Sequence, residues 1–153
     1  MPLATRIIFT HGAIVGHVRD VRIHPYGDLI RLSYVDLGDD EVVQIVFGGH
    51  YQVEPNDLVP VAPPGSRVII EHIPTGASSR KKMRSRRYRG VRSHGMLCSL
   101  NELGWAFDAP DEVATLCNVN AGEKLDGLSF HERVDRVDRH LRHVVPLGIT
   151  AGP

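Results

Sequence analysis

Apolar positions in this chain fall in short runs with a period near two, interrupted about every ten residues by turn residues. From Ala13 to Ile23, Ile14, Val18 and Val21 stand among polar neighbours, and Pro25 with Gly27 closes the run. From Ile30 to Leu37 the alternation Ile30, Leu32, Tyr34 slips phase at Val35 and Leu37, the mark of a β-bulge. Gly38-Asp39-Asp40 is a turn signal, Glu41 to Phe47 (EVVQIVF) is a nearly continuous apolar strand, and Gly48-Gly49 permits a second tight turn. Leu58 to Ala62 and Arg67 to Ile73 are two further strands separated by Pro63-Pro64-Gly65, and Thr115 to Val119 is a candidate for the last. The N-terminus is apolar only in patches broken by Arg6, His11 and His17; it reads as a first strand and not as a signal peptide. The pattern predicts an all-β fold, a small barrel or sandwich running from about Ala13 to Val119.

Two stretches carry helical signals. Ser99-Leu-Asn-Glu102 is a capping box with Gly104 as its stop, so a helix of one or two turns is expected there. Ser129-Phe-His-Glu132 is a second capping box. Phe130, Val134, Val137, Leu141 and Val144 follow at spacings of four and three, one apolar stripe on an amphipathic helix that Pro146 ends. Arg133, Asp135, Arg136, Asp138, Arg139 and Arg142 fill its other faces. The expected organisation is a domain over residues 9–128 with a helix over 129–146 appended to it. That helix either covers its own barrel or serves a partner or second copy.

Composition changes this picture less than charge does. At 153 residues, 42% hydrophobic and 24% charged, the chain is of ordinary globular make-up, and no stretch is long and apolar enough to span a bilayer. Its formal charge is zero, but the charge is segregated. Arg80, Lys81, Lys82, Arg84, Arg86, Arg87, Arg89 and Arg92 are eight of the 18 basic residues, with no acid between them. The remaining 10 basic and 18 acidic residues leave the rest at −8. Such a run fits a polyanion, while the remaining surface repels one; it also fits a solvated segment with no partner. Lying between apolar strands, residues 74–87 are expected to form a flexible, solvent-presented loop.

Catalytic and metal signals are weak. The nine histidines lack companions at metal-site spacing: His140 and His143 are the only close pair, and His131-Glu132 lacks the second histidine of a zinc-protease helix. Cys98 and Cys117 have no C-x-x-C partners; two reduced cysteines in a cytoplasmic protein are the default, and their spacing leaves a bridge open. No G-x-S-x-G, phosphate-binding loop or dinucleotide fingerprint occurs. The expectation is a non-enzyme without cofactor or metal.

Several strings resemble the tRNA-binding domain family: His24-Pro25-x-x-Asp28, Gln44-Ile45-Val46-x-Gly48-Gly49, Val59-x-Val61-Ala62-x-x-Gly65, Arg89-Gly90-x-x-Ser93-x-Gly95-Met96-Leu97-Cys98-Ser99 and Glu102-Leu103-Gly104. The likeness covers about residues 9 to 128. It is nearest to the module in the N-terminal part of the bacterial phenylalanyl-tRNA synthetase β subunit and its freestanding relatives. It implies a five-stranded oligonucleotide-binding (OB) barrel. Where the family usually has Asn-Ala-Asp-Lys/Arg-Leu and Gly-Ala-Pro-Asn, this chain has Tyr26-Gly27-Asp28-Leu29-Ile30 and Gly48-Gly49-His50-Tyr51, and Glu71 to Arg87 is longer and more basic.

These readings converge on a non-catalytic module that binds tRNA or structured RNA. Arg80, Lys81, Lys82, Arg84, Arg86, Arg87, Arg89 and Arg92 are the phosphate-gripping candidates. Tyr26, Tyr34, Tyr51, Tyr88 and Trp105 are candidate stacking platforms, with Tyr51 and Tyr88 foremost. Ser93 and Ser99 are candidate phosphate donors, Ser99 equally a helix cap, and His24 completes the set. The partners implied are RNA, a second copy of the chain, and a separate synthetase or tRNA-dependent enzyme. The rival reading is a dimeric protein-interaction or chaperone-like module that has lost RNA binding; the departures at Tyr26-Gly27 and His50-Tyr51 favour it and the arginine run opposes it.

Overall fold

The computed structural model describes residues 4–25 and 27–138. Ten strands and two short helices follow one another: β1 (Ala4–His11), β2 (Ile14–His24), β3 (Gly27–Asp36), β4 (Val42–Gly48), β5 (Leu58–Ala62), β6 (Arg67–Ile73), β7 (Ser78–Lys82), β8 (Arg86–Tyr88), β9 (Val91–Ser93), β10 (Met96–Leu97), α1 (Leu100–Leu103) and α2 (Phe130–Arg136). All pairings are antiparallel.

The central sheet has the order β10-β5-β2-β3-β4. Its two edges are drawn together by the segment that precedes β10. Gln44 O accepts from His94 N at 2.8 Å, Gln44 Nε2 donates to Arg92 O at 2.8 Å, and Val46 N donates to Ser93 Oγ at 2.9 Å. The circuit β2, β3, β4, residues 92–97, β5 and back to β2 makes a partly open five-stranded barrel of the OB kind. Outside it lie a three-stranded sheet, β1-β6-β7, and the β8-β9 ribbon.

Period-two burial explains why β5 is apolar throughout. Val59 and Val61 point into the barrel with Val18, Val35, Ile45, Phe47, Val53, Leu97 and Val113. Leu58 and Ala62 point the other way, against an outer core of Val15, Cys98, Leu100, Leu103, Trp105, Leu116 and Val137. The phase slip expected in β3 coincides with an extra residue in its partner. Val18 pairs with Val35 and Asp20 with Tyr34, so Arg19 is the bulged residue and lies on β2.

Three expectations differ from the structure. Thr115 to Val119 is not a strand: Leu116 alone makes bridges, to Leu58 and to Val137. The basic segment is not a loop, because β7 pairs with β6 over five residues. The helix expected over 129–146 is cut short. The Ser129 capping box forms, but Val137 turns to φ −88° and ψ 133° and is fully buried, with Arg136 O accepting from Cys117 N and Asp138 N donating to Thr115 O. Core burial of Val137 outweighs one more helical turn. Leu141, Val144 and the rest of the predicted helix, with His140, His143 and Tyr26, lie outside the described residues.

Candidate nucleic-acid interface

The cations are presented by paired strands. β7 runs beside β6 with Lys82 opposite Arg67, Lys81 opposite Val68 and Arg80 opposite Ile69. β8 runs beside β9 with Arg87 opposite Arg92. Arg89 and Gly90, at φ 50° and 84°, form the two-residue turn between them; positive φ at both central positions is the I′ type that matches strand twist. Glycine adopts this without strain and arginine does not, so the tip holds a charged residue in an uncommon conformation.

Arg80, Lys81, Lys82, Arg84, Arg86, Arg87, Arg89 and Arg92 are all exposed. Arg6, Arg19, Arg22 and Arg136, in contrast, each lie against a carboxylate, of Glu71, Asp36, Asp20 and Glu132 respectively. Two cross-strand pairs, Arg67 with Lys82 and Arg87 with Arg92, set like charges opposite each other, which costs a sheet stability. Arg67 extends the patch and was not singled out in the sequence; its signal was its place on the exposed face of β6.

Two clefts open beside these strands. The first, about 140 Å³, is lined by Lys81, Arg84, Arg86 and Tyr88 over Val68, Ile70 and Met96. The second, about 280 Å³, is lined by Tyr51 and Tyr88 over Phe47, Val46, Leu97 and Met96, with Glu102 and Glu112 also in its lining. Tyr88 belongs to both and is 43% exposed. Its carbonyl accepts a 2.8 Å hydrogen bond from His24 Nε2, so His24, 2% exposed, holds the ribbon from beneath. Tyr51 donates to Asp111 Oδ1 at 2.9 Å; burial, then this carboxylate, pushes its phenol up to about 12.

The remaining candidates are held within the fold. Ser93 Oγ accepts from Val46 N and donates to Gly95 O, and Ser99 caps α1 by accepting from Glu102 N. Both are buried, as is Trp105, whose ring lies 5.7 Å from the Arg133 guanidinium. Tyr34 stands under Arg22 at 5.7 Å and lines neither cleft. Gly95, at φ 106°, brings its backbone against Ala62 O, where no side chain fits. The stretch from Ser93 to Ser99 therefore closes the barrel, while Arg89 and Arg92, just ahead of it, are exposed. Among the described residues no group of three or more His, Cys, Asp and Glu is placed to hold a metal ion. None of their helices is long and apolar enough to cross a membrane.

The family model described as "Putative tRNA binding domain" matches residues 13–124. The chain belongs to that family. It is similar to the phenylalanine–tRNA ligase beta subunits of Geobacillus kaustophilus (36% identity over 93 residues, 61% of this chain and 10% of the relative) and Chlorobium luteolum (40% over 95 residues, 62% and 11%). That of Neisseria gonorrhoeae is 38% identical over 105 residues, 69% of this chain and 12% of the relative. The chain thus spans about a tenth of the length of these relatives. The crystal structure of the C-terminal domain of Plasmodium vivax p43 has a like fold, with a TM-score of 0.50 at 20% identity, covering 77% of this chain and 62% of that one.

Proposed function

We propose that this protein is a non-catalytic binder of tRNA or similarly structured RNA, held by its phosphates on the β7–β9 cations with bases stacking at Tyr88 and Tyr51. The observation that carries the reading is the set of exposed cations on paired strands, two pairs of them at like-charge cost. A bound phosphate backbone relieves that repulsion, and planar guanidinium forks suit it. Family membership supports RNA as the polyanion. Such a partner goes with a cytoplasmic location and with handing tRNA to a separate synthetase or other tRNA-dependent enzyme.

Changing Lys81, Lys82, Arg84, Arg86 and Arg87 to Gln tests this. Binding to all tRNAs weakens alike, and the slope of log affinity against log salt flattens by about 3.5 to 4.5 units, since each of the five phosphate contacts contributes about 0.7 to 0.9. Unchanged affinity and slope in that variant remove the strands from the RNA site. No tRNA binding by the parent at low salt leaves the protein-interaction reading in place. A second copy is the remaining partner. Light scattering at micromolar concentration gives twice the single-chain mass if residues beyond 138 supply the contact. It gives the single-chain mass if Phe130, Val134 and Val137, which pack on the chain's own core, make up the whole stripe.

A further inference from the structure

We propose that the cleft lined by Tyr51 and Tyr88 takes up one unpaired guanine base of the bound RNA, with the Glu112 carboxylate accepting from its Watson–Crick edge. This rests on the RNA-binding reading and gives it base selectivity. The cleft measures about 280 Å³, just below the range of drug-sized ligand sites and of a size for one planar heterocycle. Its base is apolar, with Phe47 and Leu97 buried and Val46 and Met96 beside them, and two phenol rings form its sides. That is a surface on which a base stacks.

The polar groups are the informative part. Glu102 already accepts from Ser99 N at 2.9 Å within its capping box. Tyr51 already donates to Asp111. The Glu112 side chain has no hydrogen-bond or ion-pair partner among the described residues, although the residue is half-buried. A carboxylate repels phosphate, so it does not serve the backbone; what it can do is accept hydrogen bonds from donors. A cationic peptide would supply donors, but the neighbouring Lys81, Arg84 and Arg86 repel it. A base brings donors without charge. Guanine sets N1–H and the N2 amine side by side, matching the two oxygens of one carboxylate. Adenine and cytosine place an acceptor next to their amine, and uracil flanks its single N–H with carbonyls. Tyr88 lines both this cleft and the cationic one, so a base on one side and its phosphate on the other have the disposition of a single nucleotide.

The test is fluorescence anisotropy with labelled RNA pentamers UUGUU, UUAUU, UUCUU, UUUUU and UUIUU, the last carrying inosine, which lacks the N2 amine, alongside total tRNA at low salt. UUGUU should bind at least about fivefold tighter than the other four. Glu112→Ala should abolish that preference by bringing UUGUU to the affinity of UUUUU in the same variant, and its melting temperature reports that the fold is kept. Tyr88→Ala should weaken every pentamer that stacks. Equal affinity for all pentamers, a guanine preference that survives Glu112→Ala, or tRNA binding with no pentamer binding each overturns the guanine site while the RNA reading stands. No binding of tRNA or any pentamer overturns both.

Discussion

Ser93, 1% exposed, joins strands that are 47 residues apart in sequence through its bond from Val46 N. Removing the hydroxyl leaves that amide, and the Gly95 carbonyl, without this partner. Ser93→Ala is therefore expected to lower stability by about 1–3 kcal/mol in urea unfolding, more than a surface Ser→Ala change. Asp36 gives a pH dependence. The bond from Arg19 first, then that from Gly38 N, holds its carboxyl below the usual range. With the folded pKa depressed, its stabilising effect is present above the unfolded value of about 3.9 and is lost as pH falls through the folded value. Melting temperature should accordingly drop below about pH 4, and Asp36→Asn, already without that charge, should show a shallower drop. At this scale Ser99 as a helix cap was legible from its spacing to Glu102. Ser93 was not, because its partner Val46 is near only after the sheet has curled.

At the scale of elements, the β8-β9 ribbon sets charge repulsion against turn geometry. Arg87 faces Arg92 across a non-terminal pair, while the Arg89-Gly90 turn and the His24 bond to Tyr88 hold the strands together. Arg92→Thr should raise the stability of the free protein by about 0.2–1 kcal/mol and flatten the salt slope for tRNA by about one unit. A variant that is both less stable and unchanged in slope would contradict this account. Strands β2 to β6 were legible because each has one or two apolar faces at period two. β7 was not: Ser78-Ser-Arg-Lys-Lys82 has little strand propensity, and its pairing is decided by the free edge of β6. The truncation of α2 has the same origin, since Val137 fits helix periodicity and core burial equally and only the neighbouring Leu116 settles which prevails.

For the whole molecule, cations gathered on one side and an acidic remainder make binding and stability linked properties. A ligand that binds only the folded state stabilises it by mass action. With tRNA at about 100 times its Kd, unfolding should become about 2.7 kcal/mol less favourable, seen as a raised melting temperature, and the five-Gln variant should show little of this rise at the same tRNA concentration.

The sequence by itself determined the all-β class, five of the barrel and flanking strands, both capping boxes, the charge segregation and the family likeness, because each is written in local spacing or in a contiguous string. Tertiary structure alone decided which members of that string face outward. Ser93 and His24 were drawn inward as the seam and a prop. It also brought Tyr51, Tyr88 and Glu112, distant in the chain, to the rim of one cleft. Local spacing encodes hydrogen bonds between near neighbours; a cleft is made by strands whose register and curvature depend on every other strand in the barrel.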